Sequence, residues 1–281
     1  MANAVKTLHR FGAVEYDLTA RTHLMGILNV TPDSFSDGGL FRDPDRAVRK
    51  GLEMVEEGAD FIDVGGESTR PGSDRVSAEE EMRRVLPVIE RLSKATDIPI
   101  SVDTYKSAVA KRALEAGARI INDVSGLHFD PDLADVAAGG GATLVIMHMK
   151  GTPKSMQADP VYDDVIAEIA EYLAAAIRVA EAKGVGQIFI DPGIGFGKSP
   201  SHNVEIIRRL GELGPLGHPV LVGPSRKSFI GKILDLPVDE RLEGTAAAVA
   251  ASVMNGANVV RVHDVKQMLR VARVADAIVH S

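Results

Sequence analysis

Three apolar runs in this chain stop on a side chain that can bind something: Asp103 in Ser101-Val102-Asp103, Asn122 in Ile121-Asn122-Asp123, and Asp191 in Ile190-Asp191-Pro192. A carboxylate or amide at the end of a buried strand is costly to desolvate unless it meets a partner. One such residue is adequately explained as a cap for the helix that follows. Three at equivalent positions favour a shared ligand site. Asp and Asn present donors and acceptors in a fixed plane, which suits a flat heterocycle with amidine-type edges. A guanidine-like edge pairs with a carboxylate in bidentate fashion.

Cations gather at two other run ends. In Arg261-Val262-His263-Asp264 the Arg and His are two residues apart, so on a strand they share a side. Gly223-Pro224-Ser225-Arg226-Lys227 sets two adjacent cations just past a strand, although Arg226 reads equally as an exposed helix-start residue. Both suit an anionic substrate. His148 ends a further run, but a lone His is more often a satisfied structural residue; His9, His202 and His280 read as surface. No His/Asp/Glu cluster has the spacing of a tight metal cage. Mg²⁺ held by substrate phosphates and one or two protein oxygens is compatible with what is present.

Three glycine-bearing stretches complete the set. Thr31 to Gly39 embeds Phe35 and Asp37 in a polar loop, the form of a lid. Gly65-Gly66-Glu67-Ser68-Thr69-Arg70-Pro71-Gly72 allows close backbone approach and offers Arg70 as a clamp. Asp191-Pro192-Gly193-Ile194-Gly195-Phe196-Gly197-Lys198-Ser199 fails as a nucleotide loop, because Pro192 stands where the phosphate-loop pattern needs glycine. Its glycines instead shape a loop that can lay Phe196 on a ligand.

Positioning these residues requires strands ending on a common face. Eight runs read as strands: 24–30, 61–64, 98–102, 119–124, 143–148, 187–190, 219–222 and 258–262. Amphipathic spacing predicts helices over 46–57, 79–92, 107–116, 165–182 and 244–254. Strand-then-helix repeated without a composition break implies one (β/α)₈ TIM barrel, a single domain over residues 1–281. Residues 8–22 alternate enough to predict an N-terminal β-hairpin sealing the barrel bottom. An open doubly wound sheet would want a Gly-rich turn after the first strand, and Leu28-Asn29-Val30-Thr31-Pro32 is not one. In such a barrel, phosphate commonly binds by the seventh and eighth loops, where Lys227, Arg261 and His263 fall.

The bulk properties agree. The 281 residues are 45% hydrophobic, enough for a large core, and a net charge of -7 argues against a nucleic-acid partner. Cysteine is absent, which excludes disulfides and thiolate metal sites and fits a cytoplasmic location. No apolar run is long enough to span a bilayer, so no membrane association is expected.

Taken jointly and in order, the stretches 25–39, 63–72, 101–104, 122–124, 191–198, 225–227 and 261–264 resemble the dihydropteroate synthases of the folate pathway, over nearly the whole chain. The resemblance implies condensation of 6-hydroxymethyl-7,8-dihydropterin pyrophosphate with p-aminobenzoate, a homodimer, and a site of the kind that sulfonamides target. By matching position, Asp103, Asn122, Met147, Asp191, Phe196, Gly223 and Lys227 would bind the pterin. Asn29, Arg261 and His263 would take the pyrophosphate, with Mg²⁺ on Asn29. Phe35, Thr69, Arg70, Pro71 and Ser228 would frame p-aminobenzoate. Asp103, Lys227, Asn29 and Asp37 would carry the catalysis, Asp37 acting when its loop closes. Two other readings share the pterin slot: a methyltransferase passing a folate methyl group to a corrinoid, and a non-catalytic pterin-binding paralogue.

Overall fold

The computed structural model describes residues 8–31, 44–68, 75–151, 156 and 160–279. Phe35, Asp37, Thr69, Arg70 and Pro71 lie outside the described residues, as does His280.

The chain opens with the expected hairpin, β1 (Leu8–Phe11) and β2 (Val14–Asp17), turning at Gly12 with φ +65°. Eight parallel strands follow: β3 (His23–Asn29), β4 (Phe61–Gly65), β5 (Ile100–Asp103), β6 (Ile120–Asp123), β7 (Thr143–Met147), β8 (Gln187–Asp191), β9 (Leu221–Val222) and β10 (Val259–Val262). Their order is β8-β7-β6-β5-β4-β3-β10-β9. A parallel bridge between Ile190 and Val220 joins the two ends, so the sheet closes on itself. The helices are α1 (Pro44–Glu56), α2 (Ala78–Ala95), α3 (Ser107–Glu115), α4 (Leu133–Gly140), α5 (Val165–Ala182), α6 (Pro200–Arg208), α7 (Ser228–Leu234), α8 (Leu242–Met254) and α9 (Val265–Val279). All five helices expected from spacing are present, with ends displaced by at most three residues. Of the other four, α4, α6 and α7 lie between strands and α9 follows the last strand, where the barrel requires them.

Strand periodicity sorts the side chains into two layers. Leu24, Leu28, Ile62, Val64, Val102 and Ile146 point outward and pack under the helices. The alternate residues point into the barrel. At the N-terminal end of the strands, Met25, Phe61, Ile120, Val145, Phe189, Leu221 and Val259 form a floor with Phe11 and Leu18 from the hairpin segment. Phe11 meets Phe61 edge-on with ring centres 5.3 Å apart. The hairpin thus plugs the barrel bottom.

His9 corrects the expectation of a surface residue: it is buried, its ring 5.1 Å from that of Phe189. It stands two residues before Phe11 on β1, so it shares the inward side. His202 is half-buried and works as a helix cap, its Nδ1 accepting from the Ser199 N–H at 3.3 Å.

Candidate active site

The same alternation that buries the floor brings the chemistry to the opposite end. Asn29, Gly65, Asp103, Asn122, Met147, Asp191 and Arg261 are inward positions at or next to the C-terminal ends of their strands, with Gly223 and His263 just beyond theirs. Register makes them neighbours. Asn29 pairs with Gly65, Gly65 with Asp103, Asp103 with Asn122, and Met147 with Asp191. A methyl group on Gly65 would stand 3.6 Å from both Asn29 Oδ1 and Asp103 Oδ2. The glycine therefore leaves a gap between an amide oxygen and a carboxylate.

Charge is concentrated here. Arg261 Nη2 donates to Asp103 Oδ2 at 2.8 Å, and its Nε donates to Asp63 Oδ2 at 2.6 Å. Asn122 Nδ2 donates to the same Asp63 oxygen at 2.9 Å. Burial pushes the Asp103 carboxyl up to about 7; Arg261 and Lys227 pull against it, while Asp63 and Glu81 add to it. Burial also pushes Asp191 up to about 6, opposed by the Gly193 N–H at 2.7 Å and by Lys227 and Arg261. Two carboxyls poised to lose a proton suit a ligand that brings a cationic or donor-rich edge.

The loop after β8 builds one wall. Gly193 and Gly197 have φ of +71° and +65°, and a side chain on either would run into the carbonyls of His148 and Lys150 respectively. Lys198 is buried and turns back, its Nζ 2.9 Å from the Phe196 carbonyl and 2.9 Å from His148 Nδ1. Burial lowers the Lys198 pKa to about 7 against the pull of Asp191, and burial with Lys198 holds His148 neutral. His148 is thus a structural partner, as its isolation in sequence suggests. The result fixes Phe196 in an apolar cluster with Met147, Met149, Val124 and Tyr105. Lys227 Nζ lies 4.2 Å from the centre of the Phe196 ring, a cation–π contact.

The opposite wall resolves the two adjacent cations. Arg226 has φ +57°, a left-handed backbone rare for a residue of its size, and this turns the two side chains apart. Arg226 forms a bidentate pair with Asp264, at 3.0 and 2.6 Å. Lys227 faces the site, and Ser228 follows it as the first residue of α7. Ser225 Oγ accepts from the His263 backbone N–H at 3.2 Å and lies 2.9 Å from His263 Nδ1. Burial, with Arg261 and Arg226, lowers the His263 pKa to about 3. The neutral ring can then accept the Ser225 proton at Nδ1 and carry its own on Nε2.

Three further features are missed in the sequence reading: Asp63, Lys198, and a buried ion cluster in which Lys106 binds both Glu67 and Glu81. Tyr105 also donates to Glu67 at 2.8 Å, so this cluster ties down the start of the second glycine-bearing loop. The period-two rule places Asp63 inward, two residues before Gly65. Nothing local in the sequence points to the other two.

A sequence profile of the family described as pterin binding enzyme matches residues 25–263. The dihydropteroate synthase of Synechocystis sp. is 48% identical over 270 residues, covering 95% of this chain and 93% of that one. A Yersinia pestis dihydropteroate synthase solved with a sulfonamide drug complex superposes with a TM-score of 0.93 at 41% identity, covering 98% of this chain and 100% of that one. The Xanthomonas albilineans enzyme with 4-aminobenzoic acid gives a TM-score of 0.91 at 44% identity, covering 97% and 98% of the two chains. The chain therefore belongs to the pterin-binding enzyme family, on its dihydropteroate synthase branch.

Proposed function

We infer that this chain, folded as one barrel domain, condenses 6-hydroxymethyl-7,8-dihydropterin pyrophosphate with p-aminobenzoate. The products are 7,8-dihydropteroate and pyrophosphate, in folate biosynthesis. The observation that carries the reading is the pairing, in one barrel mouth, of a planar acceptor set with an anion-binding wall. Asp103, Asn122 and Asp191 form the first, and Arg261 and His263 the second.

In this reading the pterin lies between Met147 and Phe196, over Gly223. Its donor edges face Asp103, Asn122 and Asp191, and Lys227 covers it from the Phe196 side. Arg261 and His263 receive the pyrophosphate. The bond from the pterin methylene to the pyrophosphate oxygen breaks, and its electron pair leaves with the anion. Asp103 stabilises the conjugated cation left on the pterin. The neutral arylamine attacks that methylene and then loses a proton. An arylamine is nucleophilic without help, so no triad is needed.

Phe35, Thr69, Arg70 and Pro71, with Ser228, frame the arylamine, and Asp37 closes over the pterin. Support for this subsite comes from the relatives solved with 4-aminobenzoic acid and with a sulfonamide.

Mg²⁺ belongs to the proposal. Among the described residues no cluster of three or more His, Cys, Asp or Glu could hold a metal. Asn29 Oδ1 beside the Gly65 gap is a single hard oxygen, which fits an ion that keeps most of its waters and binds through phosphates. When bound there, Mg²⁺ would supply charge neutralisation of the pyrophosphate. We also propose a homodimer, since Val274 and Ile278 of α9 and Met254 of the neighbouring α8 are largely exposed. A cytoplasmic location completes the reading, in keeping with a chain that has no cysteine.

The test is pyrophosphate release with both substrates, with and without Mg²⁺. Release should require p-aminobenzoate, and Asp103→Asn should lower kcat by about 10²–10³ while the protein stays folded. Binding of the pterin pyrophosphate without any release would favour the non-catalytic paralogue. Transfer of a labelled methyl group would favour the methyltransferase.

A further inference from the structure

Asp63 lies one layer beneath the site ring on β4 and is fully buried, so no substrate atom reaches it. Among the described residues its Oδ1 has no hydrogen-bond partner. Oδ2 takes both donors, Asn122 Nδ2 at 2.9 Å and Arg261 Nε at 2.6 Å. On the functional reading above, these donors serve opposite halves of one substrate, Asn122 the pterin and Arg261 the pyrophosphate.

Arg261 has a competing commitment. Its Nη2 donates to Asp103 Oδ2 at 2.8 Å, and Asp103 is also the carboxylate that faces the pterin edge. Nη2 carries two N–H groups and Nε one, so the Nε bond can stay made while Nη2 takes another partner. When a pterin engages Asp103, the Nη2 edge is released toward the anion wall. Burial opposes the Arg261 charge, and Asp63 is the carboxylate that still holds it by a hydrogen bond once Asp103 is occupied.

We propose that Asp63 is a positioning residue: it anchors Arg261 through Nε while Nη2 passes from Asp103 to pyrophosphate, so that the pterin and pyrophosphate sites reinforce each other. The proposal rests on the site being a pterin-pyrophosphate pocket. A carboxylate that merely balances the Arg261 charge would support both sites without linking them.

The experiment is calorimetric titration of inorganic pyrophosphate into the full chain, with and without 6-hydroxymethylpterin, for wild type and Asp63→Asn. In wild type the pterin should tighten pyrophosphate about fivefold or more. Both donors meet the same oxygen, so an asparagine can still accept from both but lacks the charge that holds the Arg261 guanidinium. In Asp63→Asn, pyrophosphate alone should therefore bind about tenfold or more weakly, as expected for loss of a charged hydrogen bond. The tightening by pterin should vanish, while the pterin alone keeps its wild-type affinity. Arg261→Lys keeps the cation and lacks the Nε edge, so with Asp63 intact it should lose the tightening too. It decides the matter if Asp63→Asn does not fold. Undiminished tightening in the folded variants, or none in wild type, overturns the proposal. So does an equal loss of affinity for both ligands with the tightening retained. A wild-type protein that binds no pterin at all would instead overturn the functional reading.

Discussion

At the residue scale, the site works through groups that sequence exposes unevenly. Asp103, Asn122 and Asp191 are readable because each interrupts an apolar run at its end. Asp63 is readable only as an inward position, because it sits inside Phe61-Ile62-Asp63-Val64 and its partners lie 59 and 198 residues away in the chain. The two titrating carboxyls have a consequence of their own. Their folded pKa values, about 6 for Asp191 and about 7 for Asp103, stand above that of an unfolded Asp. The stability they contribute is therefore fully present below the unfolded value and is lost as pH rises through about 6 and about 7. A ligand bringing N–H donors reverses the balance, because it favours the carboxylates. Binding of a pterin near pH 6 should thus release protons, with Asp191→Asn releasing fewer. Titrations in two buffers of different ionisation enthalpy measure this directly. Identical heats in both buffers would show that neither carboxyl changes its protonation on binding.

At the element scale, the strands were the readable part, because a strand buried on both faces is a nearly continuous apolar run. The helices α4, α6, α7 and α9 were less so. Leu133–Gly140 is rich in Ala and Gly, and Ser228–Leu234 is only seven residues with Gly231 inside it. In Val265–Val279 two alanines, Ala272 and Ala275, carry half the buried face, which blurs the period. Among the interactions between elements, the Lys106 cluster ties the segment after β4 to α2 and to the start of α3. Glu81 on α2 is almost wholly buried, with burial the first cause of its raised pKa, and Lys106 is its ion-pair partner. Replacing Lys106 with Met should leave a buried carboxylate uncompensated and cost about 3–5 kcal/mol. Chemical denaturation of the variant reads this, and a loss below about 1 kcal/mol would show that Glu81 finds relief elsewhere.

At the scale of the whole molecule, the last two helices carry part of the exposed apolar surface. Val274 and Ile278 are one helical turn apart on α9, 62% and 58% exposed, and Met254 on α8 is 54% exposed. Exposed apolar side chains on these adjoining helices are what the proposed homodimer would cover. Wild type should sediment at twice the mass of one barrel, and Val274→Asp should shift it toward the single-barrel mass. A wild type at the single-barrel mass would end the homodimer proposal. The aromatic plug at the other end of the barrel has a different bearing. Phe11, Phe61 and Phe189 close that end, in a hydrophobic cluster that includes none of the residues assigned to the anion wall or the pterin. Folding strength and chemistry are therefore written on separate floors of one building. Natural variation or an engineer can harden the lower floor by repacking it, and so shelter the costly buried carboxylates above from mutations that would otherwise unfold the chain.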